Sequence, residues 1–287
     1  MMQSEQEGQR NLQQSGAAGQ RNTQHATNIK KRSIRRKKAR RMRRIKRIFV
    51  AAIILLVVFA AGRTSFVQGF LNHWNVKSEA TLTAEGYPES LVQLYEKNEE
   101  ARQFVLDYKK NGNNEQPIDI SSDVTDGKIP LFLQWDERWG YRTYGDNFLA
   151  ITGCGPTALS MVYVGLTGDT SMNPYAVAQM AQEDGFYVNG SGSSWSMMTE
   201  LATKLGLSAQ ELSLNEDSIR QELSQGHPII CIMGPGDFTT SGHFVVLTGV
   251  DSEGKITVND SNSKKNSNKA WKIEDLMSQI RDLWVYQ

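Results

Sequence analysis

Cysteine is nearly absent, with two in 287 residues. Two thiols cannot build the disulfide framework of a small secreted domain; Cys154 and Cys231 could form one bridge at most. Histidine is scarce too, with four. Two cysteines and two usable histidines lack the close-spaced pairs of a zinc site, and no metal or organic cofactor is implied. Long apolar runs are also few. The strongest, residues 48–62, has about 15 residues, short of the ~20 that span a bilayer. The glycine-rich stretch 234–242 is followed by no helix with a Lys-Ser/Thr pair, so it is not a phosphate loop.

Charge is balanced only on average. The formal net charge is +1, yet residues 1–47 hold 15 Lys/Arg against two Glu, which leaves 17 against 29 for the rest. A domain of that sign has no electrostatic case for nucleic acid as a partner. Residues 1–29 are rich in Gln, Asn, Ser and Gly and too poor in large apolar groups to fold, so 1–47 is expected to be a disordered, basic tail. Extending the apolar run to 48–71, with Arg63 reaching the far headgroups, makes a single N-terminal transmembrane helix. The basic block then stays cytoplasmic and the C-terminal two-thirds faces outward at the cell membrane. A cleaved signal peptide ending near Val58-Phe59-Ala60 is the competing reading.

What is present centres on Gly153-Cys154-Gly155-Pro156-Thr157-Ala158-Leu159. The glycines permit a sharp turn, Pro156 suits a first helical turn, and Leu159, Val162 and Tyr163 recur at helical spacing. A buried helix over 155–166 follows, with Cys154 at its N-terminus. Unsatisfied N–H groups and the helix dipole favour a thiolate there. Cys231, inside an apolar strand, reads instead as a small buried hydrophobe. His243 opens an apolar, β-branched strand, 243–250. After a turn, a second strand over 255–259 brings Asp260 back to the end of the sheet where His243 begins. Cys154, His243 and Asp260 then supply nucleophile, base and orienter, with Asn259 or Asn262 as other candidates for the orienter.

Further helices are expected over 173–182, 194–204 and 216–224, and strands over 228–233 and 283–286. Helices first and antiparallel strands afterwards give an α+β fold. Upstream, residues 72–127 read as a juxtamembrane segment with a short helix from 87–91, a second over 97–109, and a polar linker over 111–126.

Residues 128–287 resemble the C39-like cysteine peptidases, a branch of the papain-like proteases. The resemblance lies in Gln134-Trp135-Asp136-Glu137-Arg138-Trp139, Gly153-Cys154-Gly155-Pro156, Gly190-Ser191-Gly192-Ser193-Ser194-Trp195, Gly242-His243-Phe244 and Val258-Asn259-Asp260, in the family's order. It implies a papain-like fold, with the helix carrying Cys154 packed on an antiparallel sheet carrying His243 and Asp260. It also implies Gln134 as the side-chain donor to the oxyanion. In the family the aspartate is usually followed by proline; here Ser261 follows. The expected function is a membrane-anchored, extracellular cysteine peptidase acting on a peptide or protein. A cysteine acyltransferase or cell-wall peptide amidase on the same site, or a non-catalytic peptide-binding module, are the alternatives. The 234–242 loop and Trp195 are expected to border the substrate cleft.

Overall fold

The computed structural model describes residues 77–287. The expected basic tail and membrane anchor fall outside them. Among the described residues, no helix is long and apolar enough to cross a membrane. The first helices are α1 (Glu79–Ala84), α2 (Glu89–Lys97) and α3 (Arg102–Asn111), with a 3-10 turn at Glu99–Ala101 between the last two. Only α2 and α3 have a sequence signal. Six residues are too few for α1 to display a period, and its stability comes from the Ser78 cap and from burial of Leu82.

Next come the hairpin β1 (Thr143–Tyr144) and β2 (Asn147–Phe148), then α4 (Leu149–Thr152), α5 (Cys154–Thr167) and α6 (Pro174–Glu183). A second small hairpin, β3 (Tyr187–Val188) and β4 (Gly192–Ser193), leads to α7 (Met197–Lys204), β5 (Ala209–Glu211) and α8 (Glu216–Ser224). The chain ends with β6 (Ile229–Met233), β7 (His243–Val250), β8 (Ile256–Asp260), α9 (Lys264–Ser267), α10 (Ile273–Met277) and β9 (Ile280–Tyr286). Asn173 caps α6, accepting from the Tyr175 and Ala176 N–H groups, and Asn215 caps α8, accepting from the Ser218 N–H.

Five strands form one antiparallel sheet in the order β5-β9-β6-β7-β8. The central strand β6 is buried at all five positions, because helices cover both sides of it. Ile230, Ile232, Phe244 and Val246 pack on Leu159 and Val162 of α5 and Leu201 of α7. From the opposite face, Cys231, Val245 and Leu247 meet Ile219 and Leu223 of α8 and Leu276 of α10. β5 interrupts the expected order of helices before strands. It is short, polar and at the sheet edge, so pairing with β9 rather than any apolar pattern makes it a strand.

The helical segment before the expected peptidase domain does not stand apart from it but packs on it. Leu91, Val92, Phe104 and Val105 share a cluster with Trp135, Tyr141 and Ala150. Phe104 stacks on Tyr141 at 4.2 Å, and the Tyr141 hydroxyl donates to the Phe104 carbonyl at 2.6 Å. Nor is 111–126 a free linker. Ile120 is fully buried in the main core, and Arg138 ties Asp123 (2.6 Å) to Asp136 (2.8 Å). Polarity hides this attachment in the sequence, since Ile120, with Ile118 and Val124 beside it, and one ion-pair network do the anchoring.

Candidate active site

Cys154 is the first residue of α5, the place the sequence assigns it. The flanking glycines are needed for close approach, not for a left-handed turn. Gly153 has φ −92°, and a Cβ there would lie 2.5 Å from the Leu149 carbonyl oxygen. At Gly155 a Cβ would come 2.7 Å from Ser193 Oγ, which the Tyr144 hydroxyl holds at 2.8 Å. The β3–β4 hairpin therefore lies directly on the start of α5, and any larger residue at Gly155 would lift it away.

His243 is the first residue of β7 and Asp260 the last of β8. Asp260 pairs across from Val245, so the two side chains are diagonal neighbours on one face of the sheet. His243 Nε2–H donates to Asp260 Oδ1 at 2.7 Å, and the two residues are 6% and 1% exposed. That contact leaves Nδ1 as the ring nitrogen available to Cys154. Asp260 also accepts from the Asn262 N–H at Oδ1 and from Asn266 Nδ2 at Oδ2, both at 2.8 Å. Neither alternative orienter touches the imidazole. Asn259 Nδ2 donates to the carbonyls of Ile129 (3.1 Å) and Pro130 (3.0 Å), and the Asn262 side chain accepts from Asn98.

The charges follow from these contacts. Burial pushes the Cys154 thiol up, but the His243 imidazole and the N–H groups of Phe244 and Gly155 outweigh it and bring it below its ordinary value. Burial pulls His243 down, while Asp260 and then Cys154 drive it up further, so the net shift is upward. In Asp260, burial opposes ionisation, and His243, Asn266 and the Asn262 N–H together keep the carboxyl below the usual range. Each group thus stabilises the charged form of its neighbour. For Cys231, burial and, behind it, the charge of Asp282 push the thiol far up. Both cysteines are free, and Cys231 belongs to the cluster on the sheet face away from α5, so the possible bridge between them is not formed.

Gln134 is buried, not an ordinary surface glutamine. Nε2 donates to the Ala150 carbonyl at 2.8 Å, just ahead of Cys154, and Oε1 accepts from Ser261 Oγ at 3.0 Å. Its backbone N–H donates to the Ser261 carbonyl at 2.8 Å, and the neighbouring Trp135 Nε1–H donates to the Asn262 carbonyl at 3.2 Å. The two sequence motifs around Gln134 and Asp260 are therefore bonded residue to residue. Trp135 and Trp139 are both buried and serve packing.

A cleft opens beside Cys154 and His243. Its walls include Trp195, Gly234, Pro235 and Gly242, as the sequence leads one to expect, together with Ser191 and Arg281. Trp195 is 48% exposed. Nothing in the sequence marks Arg281. It is the residue skipped in the bulge of β9 between Ile280 and Asp282, and its guanidinium reaches Gly234, where a Cβ would collide with it.

A thiol at a helix start, beside an imidazole held by a carboxylate at the end of an antiparallel sheet, is an arrangement suited to nucleophilic thiol chemistry. The chain belongs to the Peptidase_C39 like family, whose model matches residues 127–287. Among solved structures it is similar to the peptidase domain of Streptococcus ComA, a bi-functional ABC transporter involved in a quorum sensing pathway. That likeness has 19% sequence identity and a TM-score of 0.34, over 47% of this chain and 89% of the other. No curated protein matches the chain.

Proposed function

We propose that the protein is a membrane-anchored, outward-facing cysteine peptidase that cleaves peptide or amide bonds with Cys154, His243, Asp260 and Gln134. The observation that carries this reading is the buried His243–Asp260 contact at 2.7 Å, beside a thiol held below its ordinary pKa. Cys154 Sγ, as thiolate, attacks the carbonyl carbon while His243 keeps the proton. The negative charge that develops on the carbonyl oxygen is met by the Cys154 backbone N–H and by Gln134 Nε2. That nitrogen has two hydrogens, and Ala150 accepts one, which leaves the other for the oxyanion. Such a donor is typically worth ~3 kcal/mol in the transition state. Collapse expels the amine, protonated by His243. Water, deprotonated by the same imidazole, then hydrolyses the thioester and releases Cys154.

The outward orientation rests on the basic block of 1–47 ahead of the apolar run 48–71. Protease added to intact cells should remove the folded part and spare the basic tail. Release of an intact soluble protein starting near Ala61 would favour a cleaved signal instead. For the chemistry, the test is hydrolysis of a peptide library and of cell-wall peptide fragments by the full chain and by Cys154→Ala. Equal turnover by the two proteins would sink the reading.

A further inference from the structure

Asp260 is followed by a tight loop that folds back on its carboxylate, and the loop controls where that carboxylate points. The Asn262 N–H and Asn266 Nδ2 bind its two oxygens, and Ser267 Oγ accepts from its backbone N–H at 2.9 Å. The loop is gripped in turn by residues that precede the family-matched region. Asn98 Nδ2 donates to the Asn262 carbonyl at 2.8 Å and to Asn262 Oδ1 at 2.9 Å. Glu100 Oε1 accepts from Ser263 Oγ (2.6 Å) and the Lys265 N–H (3.3 Å), and Oε2 accepts from the Lys264 N–H (2.9 Å). The two N–H groups lie in the first turn of α9 and have no partner inside the helix, and Ser263 is its N-cap, so a carboxylate is well suited there. Asn98 Oδ1 also accepts from the Glu100 N–H at 2.9 Å, which fixes the two residues relative to each other. Both belong to the turn between α2 and α3, and those helices are packed against Trp135 and Tyr141.

We propose that Asn98 and Glu100 are positioning residues for the peptidase site: they hold the 262–267 loop so that Asp260 keeps its contact with His243. The helical segment before the family-matched region is then a working part of the enzyme. This inference rests on the reading of His243 as the base, but its test does not require turnover.

The experiment follows the His243 ring by NMR titration of the full chain, with the resonance assigned by its loss in His243→Ala. Asp260 and Cys154 are the titratable groups that act on this ring. Glu100→Ala should lower the titration midpoint by about one pH unit, since a partly withdrawn carboxylate supports the imidazolium less. It should also lower kcat about tenfold at nearly constant KM, the pattern of a lost transition-state interaction. Asn98→Ala and Glu100→Gln, which keep part of the grip, should show smaller effects of the same sign and serve if Glu100→Ala does not fold. In an Asp260→Asn background the Glu100 substitution should change neither quantity. An unchanged His243 midpoint in all three variants, or an undiminished effect in the Asp260→Asn background, overturns the proposal. Absence of turnover in the wild type would instead count against the peptidase reading, while the titration still decides the role of Glu100.

Discussion

Ser261 Oγ–H donates to Gln134 Oε1 and holds the oxygen end of a buried amide whose nitrogen end is already bonded. The Ala150 carbonyl can only accept, so it keeps the nitrogen toward the start of α5 and leaves the oxygen to Ser261. The residue that departs from the family's usual proline has thus become the anchor of the proposed oxyanion donor.

Gln134→Ala should therefore lower kcat about 10²-fold with little change in KM, because the lost bond strengthens only in the transition state. Ser261→Ala should keep the amide nitrogen on Ala150 but loosen its oxygen end, and should cost clearly less. Steady-state kinetics on both variants checks the order. Equal losses would mean that Ser261 does more than orient Gln134.

The two cysteines should separate cleanly. Cys154→Ala is expected to abolish turnover and leave the thermal midpoint nearly unchanged, since the thiol opens on the cleft. Cys231→Ala should spare turnover and cost ~1 kcal/mol or more, because it leaves a cavity in a fully buried strand. Calorimetry and an activity assay on each variant decide the matter.

Thiol reactivity should report the charge state of the site. Iodoacetamide should modify Cys154 rapidly near pH 6, where an ordinary thiol with a pKa of ~8.5 is almost wholly protonated. His243→Ala should return the rate profile toward that of an ordinary thiol, and Cys231 should react only on unfolding. Mass spectrometry locates the label. Slow wild-type modification near pH 6 would contradict the downward shift at Cys154.

The His243–Asp260 pair should also shape stability against pH, read most simply in Cys154→Ala. Asp260 ionises more readily in the folded state, so its contribution is present above its unfolded pKa of ~3.9 and is lost as pH falls through the folded value. His243 is shifted upward, so its contribution is complete below ~6.5 and is lost as pH rises through the folded value. The pair should stabilise most between roughly pH 4 and 6.5. Asp260→Asn should flatten both limbs of a denaturation series.

Among the described residues, Arg281 is the one permanently charged side chain on the cleft wall. Peptides with an acidic side chain near the scissile bond should lose about tenfold in kcat/KM in Arg281→Ala, and neutral peptides should change little. Because the guanidinium is exposed, that preference should weaken with added salt. Equal losses for both peptide classes would deny Arg281 a part in selection.

Much of the site is legible in the sequence because it depends on local signals. A glycine-flanked cysteine before an apolar helix and a histidine opening a β-branched strand are both readable from neighbours along the chain, and both residues lie where expected. Asp260 is legible because a hairpin returns the chain by a known distance. Ser261, Asn98, Glu100 and Arg281 could not be found that way. Their partners are far off in sequence, and polar residues in a turn look the same whether they meet water or a buried amide. α1 and β5 leave no mark in the sequence for a related reason: each is held by packing or pairing, not by its own pattern.

The hairpin that joins His243 to Asp260 also determines where the chain can grow. Thr248 is the unpaired residue of a bulge between Leu247 and Gly249, between the site and the turn that follows Val250. Mismatch introduced at the turn can be absorbed there, and the register from Leu247 back to His243 stays as it is. A tag or a whole inserted domain at 252–254 should therefore be tolerated, as exposed loop tips generally allow. One added residue between Val258 and Asp260 would have the opposite result. It would turn the carboxylate to the other face of the sheet and disconnect it from the imidazole, with every helix still in place.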